Sequence, residues 1–83
     1  MNIEPLRSDI LKYLRARRLL KKWEKASALF EQNIRHPSLN VELLEPHWRG
    51  IYSFRIDRKY RALFFITTRG TTEVFSVTNH YKK

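Results

Sequence analysis

Between residues 50 and 66 the chain moves from scattered apolar anchors to strict alternation. Tyr52, Phe54 and Ile56 alternate with Ser53, Arg55 and Asp57, the period of two that marks a half-buried strand. Asp57-Arg58-Lys59 supplies a polar turn, and residues 60–66 form a second run rich in aromatic and β-branched side chains. The pair predicts a β-hairpin. Arg55 falls on the face opposite Phe54, whereas Arg61 shares a face with Leu63 and Phe65. A guanidinium set into an apolar strand needs an anionic partner or solvent, because burying it unpaired is costly. The hairpin therefore presents cations to something.

Upstream the period changes. Over residues 6–34 apolar positions recur at helical spacing, first Leu6, Ile10 and Tyr13/Leu14, then Leu19/Leu20, Trp23, Ala26, Leu29/Phe30 and Ile34. Ser8 or Asp9 is available as a cap near the start. No glycine or proline separates the two phases, yet a single helix of roughly 40 Å covers a small sheet less well than a folded-back pair. The pattern thus predicts a helical hairpin turning near Arg17-Arg18, with Trp23 in the core. Pro37 is expected to stop the second helix and to hold His36 extended. Residues 36–50 read as a connector anchored by Leu39, Val41, Leu43 and Leu44, and a last strand is expected over residues 72–78 after a turn at Arg69-Gly70. Residues 1–5 leave room for a short N-terminal edge strand around Ile3. The predicted fold class is α+β, a helical hairpin packed on a three-stranded antiparallel meander, and 83 residues are read as one domain spanning 1–83.

Composition narrows the function classes. Seventeen basic residues against eight acidic give a net charge of +9, which predicts attraction to polyanions or to an acidic protein partner. There is no cysteine, which removes disulfides and thiolate metal sites. His36, His47 and His80 lack metal-ligand spacing, so neither a metal site nor a cofactor is expected. No apolar run resembles a signal peptide or reaches membrane-spanning length, and a soluble cytoplasmic protein is expected.

The polar residues that a simple core does not require are Glu42, Arg55, Arg61, His80 and Tyr81. If the connector folds over the hairpin face, a carboxylate, a guanidinium, an imidazole and a phenol converge. Such a set suits phosphodiester cleavage. A base takes the proton of a 2′-hydroxyl, a fixed cation stabilises charge on phosphorus, and an acid protonates the leaving oxygen. Arginine suits the middle role because its planar fork grips phosphate oxygens and keeps its charge. Each residue also has a plainer reading. Glu42 fits a surface carboxylate, Arg55 a partner of Asp57 or of an acidic helix residue, Arg61 a structural ion pair, and His80-Tyr81 a chain end. Trp48 reads as a loop anchor or a base-stacking platform.

The run Gly50-Ile-Tyr-Ser-Phe-Arg-Ile-Asp-Arg-Lys-Tyr-Arg-Ala-Leu-Phe, the connector Asn33-Ile-Arg-His-Pro-Ser-Leu-Asn and the closing Asn79-His-Tyr resemble the RelE/ParE superfamily of toxin–antitoxin toxins. In motif they are nearest to its YoeB-like branch of ribosome-dependent mRNA interferases. The resemblance implies a RelE-like fold, with Glu42 as general base, Arg61 as phosphate-stabilising cation, and His80 and Tyr81 as the terminal acid and its neighbour. Arg49, Arg55, Arg58, Lys59, Lys82 and Lys83, with Trp48, are assigned to RNA and phosphate binding. The implied partners are a cognate acidic antitoxin, the ribosome and mRNA, with monomer and dimer both open for the free protein. A ParE-like gyrase poison and a non-catalytic basic binding protein on the same scaffold are the alternatives. If Arg55 is structural and Arg61 functional, Arg55→Ala should lower the melting temperature more than Arg61→Ala.

Overall fold

The computed structural model describes residues 1–79. Helix α1 spans Ser8–Ala16 and α2 spans Leu20–Gln32. The strands are β1 (Glu42–Leu43), β2 (Tyr52–Arg55), β3 (Arg61–Ile66) and β4 (Thr72–Thr78). The helical hairpin turns where expected, and its geometry explains how it does so without glycine. Arg18 is left-handed with φ 57°. The Leu19 N–H bonds the Leu14 carbonyl at 2.8 Å and the Arg18 N–H bonds that of Arg15 at 3.1 Å, the paired bonds of a Schellman stop. Leu14 and Leu19, the apolar pair of that motif, are both buried.

The helix ends depart from expectation in two places. The N-cap of α1 is Arg7, with no side-chain cap bond. Asp9 is engaged instead by the Arg7 side chain, whose Nε and Nη2 each lie 3.0 Å from its carboxylate oxygens. Pro37 does not end α2, which stops at Gln32. The Asn33 side chain accepts the Arg35 N–H at 3.0 Å, a local bond that competes with helix continuation. Pro37 opens a 3₁₀ turn, Pro37–Leu39, and His36 before it is extended, as expected.

The sheet is antiparallel in the order β1-β2-β3-β4. Its fourth strand comes from the connector and not from the N-terminus, because Glu42 pairs with Ser53 and Leu43 with Tyr52. At the other edge, Ile3 makes a single parallel bridge to Thr72. The last strand has the predicted bounds but contains a bulge. Leu63 faces Ser76 and Phe64 faces Val74, leaving Phe75 as the extra residue. Strict alternation from Val74 would turn Val77 outward. The bulge returns it to the core beside Ala62.

The helices cover one face of this sheet. Phe30 of α2, fully buried, lies 4.8 Å from the Phe54 ring and 5.2 Å from Phe64, and Trp23 stacks on Phe54 at 5.8 Å. Ile10, Leu14, Leu19, Ala26, Leu39, Ile56, Ala62, Val74 and Val77 complete the buried cluster. The other face carries Glu42, Ser53, Arg55, Arg61, Leu63 and Phe65, because residues directly opposite in a ladder share a face. Among the described residues no helix is long and apolar enough to cross a membrane.

Candidate active site

The face away from the helices brings together two of the predicted catalytic residues. Arg61 is only 5% exposed. Its Nε donates to Ser53 Oγ at 3.0 Å, and its Nη2 donates to the Asn40 carbonyl. Both of these acceptors are neutral. Burial pushes the guanidinium below its ordinary value. Glu42 opposes that shift, while Arg55 adds to it from the directly opposed position on β2. An arginine so placed still carries its proton at neutral pH.

Glu42 reaches this face because β1 pairs it with Ser53. Its Oε2 accepts from Asn40 Nδ2 at 3.1 Å. Asn40 can serve both neighbours because it is left-handed, with φ 45°, at the end of the 3₁₀ turn, a conformation that asparagine tolerates better than most residues. Its carbonyl thereby meets Arg61 and its side chain meets Glu42. Ser53 and Asn40 were not legible as site residues. Ser53 read as an ordinary outward strand position, and the one available signal at Asn40 was an asparagine closing a Pro-Ser-Leu turn.

Arg55 does not pair with Asp57. Asp57 instead accepts the Lys59 and Tyr60 amides at 2.9 and 2.8 Å and pairs with Lys22 Nζ at 3.1 Å. Arg55 is exposed, whereas Arg61 is buried and hydrogen-bonded, so burial and bonding favour the opposite stability ranking of the two arginines to the one expected. Arg58 and Lys59 lie at the hairpin turn and, with the edge of Arg55, border a groove beside α2. Trp48 and Arg49 belong to a second 3₁₀ turn, His47–Arg49, beyond a cis Glu45–Pro46 peptide. Trp48 is 85% exposed, which removes its reading as a buried loop anchor. The remaining predicted residues, His80, Tyr81, Lys82 and Lys83, lie outside the described residues. The last pairing before them sets Thr78 opposite Arg61.

The arrangement of a helical hairpin on one face of a small antiparallel sheet is a fold this chain shares with solved proteins of toxin–antitoxin pairs. The chain aligns over 98% of its length with 98% of a chain in the YoeB–YefM complex from Staphylococcus aureus, with a TM-score of 0.67 at 21% identity. With the YoeB/ParE toxin from Agrobacterium tumefaciens the TM-score is 0.70 at 17% identity, over 98% of this chain and 100% of that one. With YafQ from E. coli it is 0.71 at 12% identity, over 95% and 90%. No protein-family model matches the sequence, and no curated protein matches it significantly.

Proposed function

We propose that the chain is the toxin of a type II toxin–antitoxin pair, a ribosome-dependent endoribonuclease that cuts mRNA and so arrests translation in the cytoplasm. The observation that carries this reading is the placement of Arg61, buried and hydrogen-bonded to Ser53 and the Asn40 carbonyl, on the same face that Glu42 reaches from β1. In the proposed reaction Glu42 takes the proton of a 2′-hydroxyl. The 2′-oxygen bonds to the adjacent phosphorus, and the bond from phosphorus to the 5′-oxygen breaks. The products are a 2′,3′-cyclic phosphate and a 5′-hydroxyl, the latter receiving its proton from His80 with Tyr81 beside it. Arg61 stabilises the charge that gathers on the phosphoryl oxygens, where a preorganised cation lowers the barrier most.

The fold shared with YoeB and YafQ supports the toxin class. Because the S. aureus neighbour is described in complex with YefM, a cognate antitoxin is the proposed protein partner, and an acidic one suits a chain of charge +9. Primer extension on a defined mRNA in a purified translation system tests the activity. New 5′ ends should appear inside codons only when ribosomes are present, and Glu42→Ala should reduce them by about two to four orders of magnitude. Intact mRNA under active translation would sink the ribonuclease reading and direct attention to gyrase supercoiling, the activity of the alternative toxin class.

A further inference from the structure

The open face of the sheet carries an aromatic pair that the proposed chemistry does not use. Along β3 from Arg61, the next side chains on that face are Leu63 and Phe65. The bulge in β4 adds to them. Phe75 is its extra residue, so Phe75 and Ser76 stand on the open face together, with Ser76 opposite Leu63. The Phe75 ring lies 6.0 Å from that of Phe65, tilted by 35°, and both rings are half-buried. Arg7 holds the bulge in place, its Nη2 donating to the Phe75 carbonyl at 3.2 Å. The core gains nothing from these two rings, since Phe30, Phe54 and Phe64 fill it on the opposite face. Bulges beside active sites commonly re-aim a side chain in this way.

We propose that Phe65 and Phe75 form a stacking site for a base flanking the phosphate at Arg61, a reading that rests on the RNA substrate proposed above. The pair is continuous with Arg61 and Glu42 on one face of one sheet. Phe65 stands four residues along β3 from Arg61, about 14 Å at about 3.4 Å per residue. At about 3.4 Å per stacked nucleotide that distance is no more than about four nucleotides, and fewer in an extended strand. A four-stranded sheet with aromatic side chains on its open face is a recurrent means of holding unpaired bases. Polar neighbours argue against an apolar protein segment as the occupant. Ser53 and Ser76 flank Leu63, and Glu73 lies opposite Phe65, so no continuous apolar stripe is offered to a helix or strand. The Glu73 carboxylate also disfavours phosphate beside the rings, which leaves the contact to the base.

The full chain is titrated by fluorescence anisotropy with a labelled hexaribonucleotide and with a labelled abasic hexamer of the same sugar–phosphate backbone. The two strands carry equal charge, so the ratio of their affinities reads the bases alone. The wild type should prefer the base-bearing strand by about tenfold or more. Phe75→Leu keeps an apolar side chain but removes the aromatic face. It should weaken the base-bearing strand about tenfold and leave the abasic one unchanged, whereas Phe75→Tyr should bind both as the wild type does. The ring protons of Phe65 and Phe75 in the wild-type chain give a second reading that needs no variant. Their resonances should move upfield with the base-bearing strand and stay in place with the abasic one. Equal binding of the two strands, binding of neither, or ring protons that do not move overturns the proposal. A folded Phe75→Leu chain with its preference intact also overturns it, and would direct attention to the exposed ring of Trp48. The translation assay separates this site from the cleavage chemistry. A chain that cuts mRNA but binds the two hexamers alike overturns the stacking site alone. A chain that prefers the base-bearing strand through Phe75 while leaving mRNA intact sustains the site and overturns the ribonuclease.

Discussion

Arg61 and Arg55 stand directly opposite each other on neighbouring strands, yet their surroundings differ. Arg61 satisfies Ser53 and the Asn40 carbonyl from a position that is 5% exposed, whereas Arg55 is exposed to solvent. Truncating Arg61 strands two partners, at a cost of about 1–3 kcal/mol for a buried group left unsatisfied. Truncating an exposed side chain away from such features changes stability by no more than about 0.5 kcal/mol. Arg61→Ala should therefore melt several degrees below Arg55→Ala, since about 4–8 °C accompanies each kcal/mol in a domain of this size. Thermal melts of the two variants side by side check this, and equal midpoints would show that the Arg61 contacts contribute nothing net. The sequence marked Arg61 as a cation in an apolar strand but gave no measure of its burial. That depends on Ser53 and on Asn40, and the Asn40 contact is long-range and written in no local pattern.

At the scale of elements, the β2–β3 turn is built around Asp57. Desolvation raises its carboxyl toward the neutral form, but the Tyr60 and Lys59 amides and Lys22 outweigh that, leaving it below the ordinary carboxylate value. The sign follows from linkage: a lowered folded-state value adds stability above the unfolded value, about 3.9. That increment disappears as pH falls through the lowered one. Asp57→Ala should thus be less stable than the wild type at neutral pH, and the gap between their melting temperatures should close on acidification below about pH 4. A gap that stays constant through that range would remove the carboxylate from the account. This hairpin was legible because alternation and turn chemistry are local. Strand β1 was not, since two residues of a connector carry no period. The bulge in β4 was hidden for a related reason: Val74 and Val77 do not alternate, and only pairing with β3 reveals the extra residue.

Across the whole molecule one side chain joins the layers. Phe30 meets Phe54 and Phe64 of the sheet from α2 and is fully buried. Replacing a core phenylalanine by alanine costs about 3–5 kcal/mol. A chain of this length is held by only about 4–12 kcal/mol, at the usual value per residue. Phe30→Ala should move the urea midpoint to a fraction of the wild-type value or abolish the folded baseline, and an unchanged midpoint would mean that the layers are joined elsewhere. The α+β class was legible because both periods are written in the chain. The charge of +9 announced an anionic partner but not its distribution. Only folding shows that Arg58 and Lys59 gather with Lys25 around the groove beside α2 while Arg61 turns to the open face.

The contact from Arg61 to Asn40 has a consequence for how the chain can vary. Asn40 holds Glu42 through its side chain and Arg61 through its carbonyl, so on the proposed function one arginine both meets the phosphate and steadies the segment that carries the base. Selection for loss of toxicity, in cells that express the chain without its partner, would meet two different landscapes at the two positions. Survivors altered at Glu42 would retain abundant folded protein. Survivors altered at Arg61 would show depleted protein as well, because the lesion reaches the scaffold together with the chemistry. Silent yet sturdy alleles should therefore accumulate at the carboxylate, making Glu42 the position through which such a chain could lose its activity while keeping its shape.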